Sequence, residues 1–282
     1  MWQTTPLPAN FQTVCVAALG SVTFGAMALA VCNSLWIGEN LGAVERACLR
    51  SAIRHGHRMR LYCYDDVRGI PEGVEIADAN EILPRASIRR YASGSVALFA
   101  NHFRYALQQH DAGIWMDTDN YCLKPLDFED EYLFGRQATG SIAIGVLRLP
   151  KNSPVLENLL ALFHAGAIPV WGPTPAQKLA RDALDRGEPV PWETMRWGLT
   201  GPRALTYYLE QSALAHLAKP PSVFYPADFT EAEWIIDPTR SLSEFIREDT
   251  AALHLWNEKI KAFKDRPAPQ GTFLARIQEE GR

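Results

Sequence analysis

Apolar positions along this chain recur at two different spacings, and the order in which those spacings alternate predicts its fold class. Ser34-Leu35-Trp36-Ile37-Gly38 reads as a first core strand. Leu41, Val44, Cys48, Leu49, Ala52 and Ile53 then recur at helical spacing until Gly56 stops the pattern. Met59 to Tyr64 is a second strand, closed by Asp65-Asp66, and Val74-Glu75-Ile76 is a minor one inside an irregular stretch. Strand, helix, strand in that order points to a parallel α/β unit. Arg85, Arg89, Arg90 and Tyr91 fit a solvated helix face. Gly94 to His110 is a second strong helix with Val96, Phe99, Phe103, Ala106 and Leu107 as its apolar stripe. Gly113 then breaks into the short apolar run Ile114-Trp115-Met116.

The second half is less regular. Ser141 to Leu149 alternates like a strand, and Pro154 to Ala165 and Pro175 to Arg186 read as helices. Thr200-Gly201-Pro202 opens a further helix, because proline suits the first helical turn. Val223-Phe224-Tyr225, Trp234-Ile235-Ile236 and Ala251 to Trp256 are the remaining strand candidates. The tail from Lys259 to Arg282 is charged and predicts only a peripheral helix. The expected organisation is an apolar extension over 1–33, one α/β domain over 34–260 and a charged tail over 261–282.

The 282 residues are 47% hydrophobic, enough to bury a sizeable core. Net charge is -4, from 28 basic and 32 acidic residues with no basic block, which argues against a nucleic-acid partner. Cys15, Cys32, Cys48, Cys63 and Cys122 are odd in number and lack metal-ligand spacing. They fit small core residues in a reducing compartment, so a cytoplasmic location is expected. Residues 13–32 carry no charge and are long enough to span a bilayer. Yet no Lys or Arg precedes them, and only Asn33 separates them from the first core strand. A membrane anchor, a cleaved signal and a non-spanning extension from a start placed too far upstream all stay open. Association with a membrane surface stays open with them.

The candidate chemistry sits where Ile114-Trp115-Met116 ends in Asp117-Thr118-Asp119. Two carboxylates two residues apart in extended chain point the same way. Like charges so placed need a compensating cation, and oxygen ligands suit Mg²⁺ or Mn²⁺. The same tripeptide also suits a solvated turn, since Asp is a common turn residue. What favours a site is position. Ligands of open α/β sheets sit outside the carboxyl ends of strands, where both Trp36-Ile37-Gly38 and Asp117-Thr118-Asp119 are predicted to lie. Asn101 and Arg104 share one face of the preceding helix.

Three runs carry a family resemblance: Leu35-Trp36-Ile37-Gly38, Phe99 to Tyr105, and Gly113 to Asp119. Together they resemble the DXD sugar-binding region of glycosyltransferase family 32. That group holds initiating α-1,6-mannosyltransferases and α-1,4-galactosyl- and α-1,4-N-acetylglucosaminyltransferases. Thr200-Gly201-Pro202 and His254-Leu255-Trp256-Asn257-Glu258 are similar to the family's C-terminal segments, so the likeness runs from about residue 34 to 260. It implies a GT-A fold with a mixed, mainly parallel sheet, a UDP- or GDP-linked sugar donor, Mn²⁺ or Mg²⁺, and retention of anomeric configuration. The acceptor would be a glycan, glycolipid or lipid-linked saccharide in cell-surface polysaccharide synthesis. Carried over by position, Trp36 would flank the nucleotide base, with Ile37 and Gly38 beside it. Asn101 and Arg104 would contact the donor sugar, although relatives often have Asp where Asn101 stands. Trp115 would lie beside the motif, Asp117 would meet sugar hydroxyls and metal, and Asp119 would bind the metal directly. Thr118, Trp256 and Asn257 would face the donor.

His254, at the end of the last strand, is a candidate third metal ligand or a core histidine bonded to backbone. Arg104 would neutralise phosphate or fork onto a hydroxyl pair. Two other classes compete: a DxD phosphohydrolase using Lys124, and a sugar-binding module without catalysis.

Overall fold

A computed structural model describes residues 28–282. The N-terminal segment, with Cys15 and most of the apolar 13–32 run, lies outside the described residues. Where that run is described, its last residue belongs to the sheet: β1 spans Cys32–Trp36. The domain therefore starts before residue 34. No helix among the described residues is long and apolar enough to cross a membrane.

The fold is α/β, with a mixed, mostly parallel five-stranded sheet of Rossmann-like order. After β1 come α1 (Ala43–Arg54), β2 (Met59–Cys63) and β3 (Val74–Asp78), then α2 (Ala97–Gln109) and β4 (Ile114–Met116). Next are β5 (Asn120–Cys122), β6 (Val146–Leu147), α3 (Pro154–His164), α4 (Thr174–Asp185), α5 (Pro202–Gln211) and α6 (Pro221–Phe224). The chain closes with β7 (Ala252–His254), α7 (Asn257–Ile260) and α8 (Phe273–Glu280). The main sheet has the order β3-β2-β1-β4-β6, and β5 and β7 form a separate two-stranded ribbon. The first four strands in that order run parallel, and β6 is antiparallel to β4.

That order decides which strand ends lie side by side. The chain builds outward from β1 through β2 to β3, then crosses back to place β4 on the other side of β1. The reversal sets the carboxyl ends of β1 and β4 side by side, the usual ligand position in such sheets. Register holds the two ends level: Asn33 pairs with Trp115, and the Ser34 hydroxyl donates to the Met116 carbonyl. Gly113 enters β4 at φ 105, where a Cβ would stand 2.4 Å from the Val31 carbonyl oxygen. Only glycine fits that approach.

Several expected elements differ. The Ser141–Leu149 strand shortens to Val146–Leu147, flanked by isolated bridges. Val223-Phe224-Tyr225 is not a strand, because Pro221 opens the short helix α6 there. Trp234-Ile235-Ile236 lies in a 3-10 helix over Phe229–Ile236, started by the Asp228 side chain accepting from the Thr230 amide. The Arg85–Tyr91 face is a 3-10 turn and loop, in which Arg85 pairs with Asp65 and Arg89 with Glu193. Val223-Phe224-Tyr225 and Trp234-Ile235-Ile236 fit strand or helix equally on periodicity, and local proline or capping chemistry decides.

The charged tail is also not peripheral. Leu274 and Ile277 of α8 are fully buried against α1 and the β5/β7 ribbon. Lys264 forms a buried ion pair with Glu45, and the Gln278 amide donates to the carbonyls of Lys264 and Arg266 at 2.8 and 2.6 Å. Apart from Lys264, most of its charges line the outside of a segment whose apolar face closes the core. The described cysteines, Cys32, Cys48, Cys63 and Cys122, are free and buried, as expected of small core residues.

Replacing Leu274 by Ala is expected to cost about 2–5 kcal/mol, the usual penalty for emptying a fully buried leucine site. Urea unfolding monitored by tryptophan fluorescence checks this; a midpoint equal to that of the native chain would make the tail dispensable.

Candidate functional site

Asp117-Thr118-Asp119 is the junction at which the chain leaves the main sheet and enters the ribbon. Asp117 follows β4 and Asp119 precedes β5. The turn is held from both sides. The Asp117 amide donates to the Gly145 carbonyl at 2.8 Å, and the Asn120 amide donates to the Asp117 carbonyl at 2.9 Å. From the ribbon, the Leu255 amide donates to the Asp119 carbonyl at 2.9 Å. β7 pairs His254 directly with Asn120, which brings the imidazole beside the second carboxylate.

Each carboxylate has its own support. Asp117 Oδ1 lies 2.9 Å from Arg104 Nη1 and accepts from Trp115 Nε1 at 2.8 Å. Arg104 is fixed in turn: Nη1 donates to the Ile144 carbonyl at 2.6 Å, and the guanidinium stands 4.7 Å from the centre of the Trp115 ring. Asp119 Oδ2 accepts from the Asn257 amide at 2.7 Å, and Oδ1 lies 3.4 Å from His254 Nε2. A ligand atom each from Asp117, Asp119 and His254 fall within 4.8 Å of one another.

The two aspartates titrate differently although they are neighbours. Burial, together with the charge of Asp119, pushes Asp117 above the usual carboxylate range despite Arg104. Burial would push Asp119 up as well, but His254 and the Asn257 amide outweigh it and hold Asp119 at about 2. Burial acts to lower His254, yet the carboxylates of Asp119 and Asp117 outweigh it, so its pKa is raised. One carboxylate is thus firmly ionised beside an imidazole that takes up a proton readily.

The set fits a divalent cation. Two carboxylates and one imidazole are ordinary ligands for Mn²⁺, and binding would displace the imidazole proton. Three buried polar atoms around the turn have no partner in the described residues: Asn120 Oδ1, His254 Nδ1 and Trp36 Nε1. Buried polar groups are normally satisfied, so these three atoms are open to a polar ligand.

The other expected site residues differ in burial and contacts. Trp36 ends β1 and Ile37 and Gly38 follow it, so they lie at that strand's carboxyl end; a Cβ on Gly38 would stand 3.3 Å from the indole nitrogen of Trp36. Thr118 is partly exposed in the turn. Trp256 adopts φ 57 and stands edge-on to His254 at 4.2 Å, with Nε1 donating to the Ala227 carbonyl. Asn257 acts through its backbone amide, while its side chain faces solvent. Trp115 is buried at 2% exposure, and it supports the motif through its Nε1 bond to Asp117 and its ring against Arg104. Asn101 is also buried, and its amide donates to the Thr200 hydroxyl at 3.2 Å.

Gly145 and Tyr225 lie against His254 and are not singled out for the site by the sequence pattern. A Cβ on Gly145 would come within 3.1 Å of the His254 ring, so the imidazole sits where a side chain would otherwise be. A glycine inside an alternating strand is the available signal, since it marks a close approach. Tyr225 is buried, and its phenol oxygen accepts from the Val146 amide at 3.1 Å while its ring lies 5.7 Å from His254. A cavity of about 280 Å³, lined by Phe163, His164, Glu188 and Trp192 among others, contains none of the carboxylate cluster.

Comparison of the sequence with protein-family models and with curated proteins yields no match.

The ion pair gives a pH signature in metal-free protein. A raised His254 pKa stabilises below its ordinary 6.5 and stops doing so as pH rises through the raised value. A lowered Asp119 pKa stabilises above its ordinary 3.8 and fails as pH falls toward about 2. Both contributions coexist between those ordinary values. His254→Gln is therefore expected to cost more stability at pH 5 than at pH 9 in urea unfolding with chelator present. An equal cost at both would remove the ion pair.

Proposed function

We propose that the chain is a metal-dependent glycosyltransferase of GT-A type. It would transfer a hexose, with retention, from a UDP- or GDP-sugar to a glycan or lipid-linked acceptor. The observation that carries this reading is the Asp117, Asp119 and His254 cluster at the reversal of strand order. The family 32 likeness of the surrounding segments supports it, and it supplies the sugar-nucleotide expectation. Asp119 and His254 would hold Mn²⁺ or Mg²⁺, with Asp117 shared between metal and donor. The bound ion would act as a Lewis acid on a departing diphosphate.

The chain's own residues account for the rest. Arg104 keeps Asp117 oriented through one oxygen, which leaves its other oxygen for a donor hydroxyl or the cation. Trp36, beside the turn, offers an aromatic edge for a base. Burial of the cluster strengthens each of these interactions by excluding water. In the transfer, the bond from the sugar's anomeric carbon to diphosphate oxygen breaks. The acceptor oxygen bonds to the same face of that carbon, and its proton passes to the departing diphosphate. Asp117 is held by Arg104, and Asp119 by His254 and the Asn257 amide, which favours this same-face path; a trapped sugar–enzyme adduct would overturn it.

The phosphohydrolase alternative needs a lysine at the carboxylates. Lys124 instead is exposed and donates to the Glu248 carbonyl, so no observation favours that reading.

UDP or GDP with Mn²⁺ is expected to raise the thermal midpoint, by mass action. Asp119→Asn is expected to abolish that rise and to cut nucleotide release from a donor-sugar screen by roughly 100-fold or more. A full shift in Asp119→Asn would sink the metal assignment. Mn²⁺ affinity is expected to climb about tenfold per pH unit while His254 remains protonated, because binding must expel that proton. Calorimetry from pH 5.5 to 8 tests this, and a flat profile would exclude His254 as a ligand.

A further inference from the structure

The donor half of the site leaves open which wall faces the acceptor. One loop stands out beside the first turns of α2. Met195 is buried, Arg196 and Trp197 are exposed, and Gly198 to Thr200 are buried again. Two residues are thus held out between two anchors. Trp197 is 58% exposed, and among the described residues it is the one aromatic side chain among the large exposed hydrophobics. The anchors are firm: the Gly198 carbonyl accepts from the Gly201 and Arg203 amides, both at 3.3 Å, at the start of α5.

This loop adjoins the proposed donor site. Thr200, three residues on from Trp197, accepts from Asn101 on α2. A Cβ on Gly201 would lie 2.9 Å from Asn101 Nδ2, so loop and helix are in direct contact. α2 precedes β4 and runs back across it, which puts the first turns of α2 at the carboxyl edge of the sheet. The segment entering α2 closes on the same loop. The Ala92 amide donates to the Glu193 carbonyl at 2.9 Å, and the Tyr91 phenol is buried against Thr200 and the Gly198 backbone.

The surroundings of this loop are basic. Arg89 is neutralised by Glu193. Its neighbour Arg90 is exposed and bonds only the Gly94 carbonyl, and Arg196 is exposed as well. Neither has a carboxylate partner among the described residues. An indole face suits the C–H face of a sugar ring, and free guanidinium groups take phosphate or carboxylate bidentately.

We propose that the Met195–Thr200 loop is the acceptor wall, with Trp197 stacking on a sugar ring and Arg90 and Arg196 binding an anionic group beside it. The acceptor class is a saccharide carrying an adjacent negative charge, from either an acidic sugar or a diphosphate link to lipid. This rests on the transferase reading.

The test is calorimetry of the full chain with Mn²⁺ and the stabilising nucleotide present. Three probes are compared: an oligosaccharide ending in glucuronate, the same oligosaccharide ending in glucose, and a monosaccharide linked by diphosphate to a short prenol. At least one anionic probe is expected to bind about tenfold tighter than the neutral one. Which of the two does so identifies the source of the charge. Trp197→Ala is expected to weaken that probe about tenfold. The double variant Arg90→Gln/Arg196→Gln is expected to erase the preference over the neutral probe. Both variants should keep the native thermal midpoint and its nucleotide shift, since all three side chains are exposed. Equal binding of charged and neutral probes, undiminished binding by Trp197→Ala, or no binding of any probe overturns the proposal. If the native chain shows no nucleotide shift at all, the transferase reading falls first, which separates the two failures.

Discussion

Two carboxylates cannot stand side by side and partly buried without something to hold them, and the Arg104–Asp117 contact is what the rest of this structure depends on. Arg104 comes from the middle of α2 and reaches across β4 to Asp117 at 2.9 Å. It is braced by the Ile144 carbonyl and lies against the Trp115 ring. A buried guanidinium is tolerated only with its donors satisfied and its charge matched. Helix, sheet and turn therefore have to meet in one arrangement. The same contact frees Asp119 to be governed by the ribbon, through His254 and the Asn257 amide. The two aspartates end with different proton affinities because different halves of the molecule hold them.

The ribbon explains why the C-terminal half matters to a site whose sequence signature lies in the first half. β7 returns to pair with β5 immediately after the turn, so His254 arrives opposite Asn120. That ribbon is backed by α1 and α8, in a core containing Tyr121, Leu253, Leu274 and Ile277. The last helix is thus part of the foundation of the candidate metal site. A glycine, Gly145, makes the space into which the imidazole fits. Rigid support of this kind is what a cation site requires, since its ligands must converge without rearrangement.

The proposed chemistry divides along the same line. The carboxyl ends of β1 and β4 hold the polar, partly buried groups suited to a charged donor. The loop carrying Trp197 and Arg196, with Arg90 on the segment before α2, offers an exposed aromatic and arginines that have no carboxylate partner among the described residues, suited to a larger partner arriving from solvent. Asn101 and Thr200 join the two regions by a hydrogen bond.

Local pattern determined the α/β class, the helices α1 to α5 within a few residues, and the carboxylates at a strand end. Those features follow from periodicity and from glycine and proline, which act over a few neighbours. Asp117, Asp119 and Arg104 were legible because they lie within one helix–strand unit. The convergence of His254 could be suspected from its place on a late strand, but only β5–β7 pairing decided it. The support role of Trp115, the place of Gly145 and the packing of the charged tail were likewise decided in three dimensions. A tryptophan beside a DXD motif reads alike whether it faces a ligand or the core, since burial comes from residues distant in the chain. Short apolar runs such as Val223-Phe224-Tyr225 satisfy either period, so neighbouring prolines and tertiary packing choose between them.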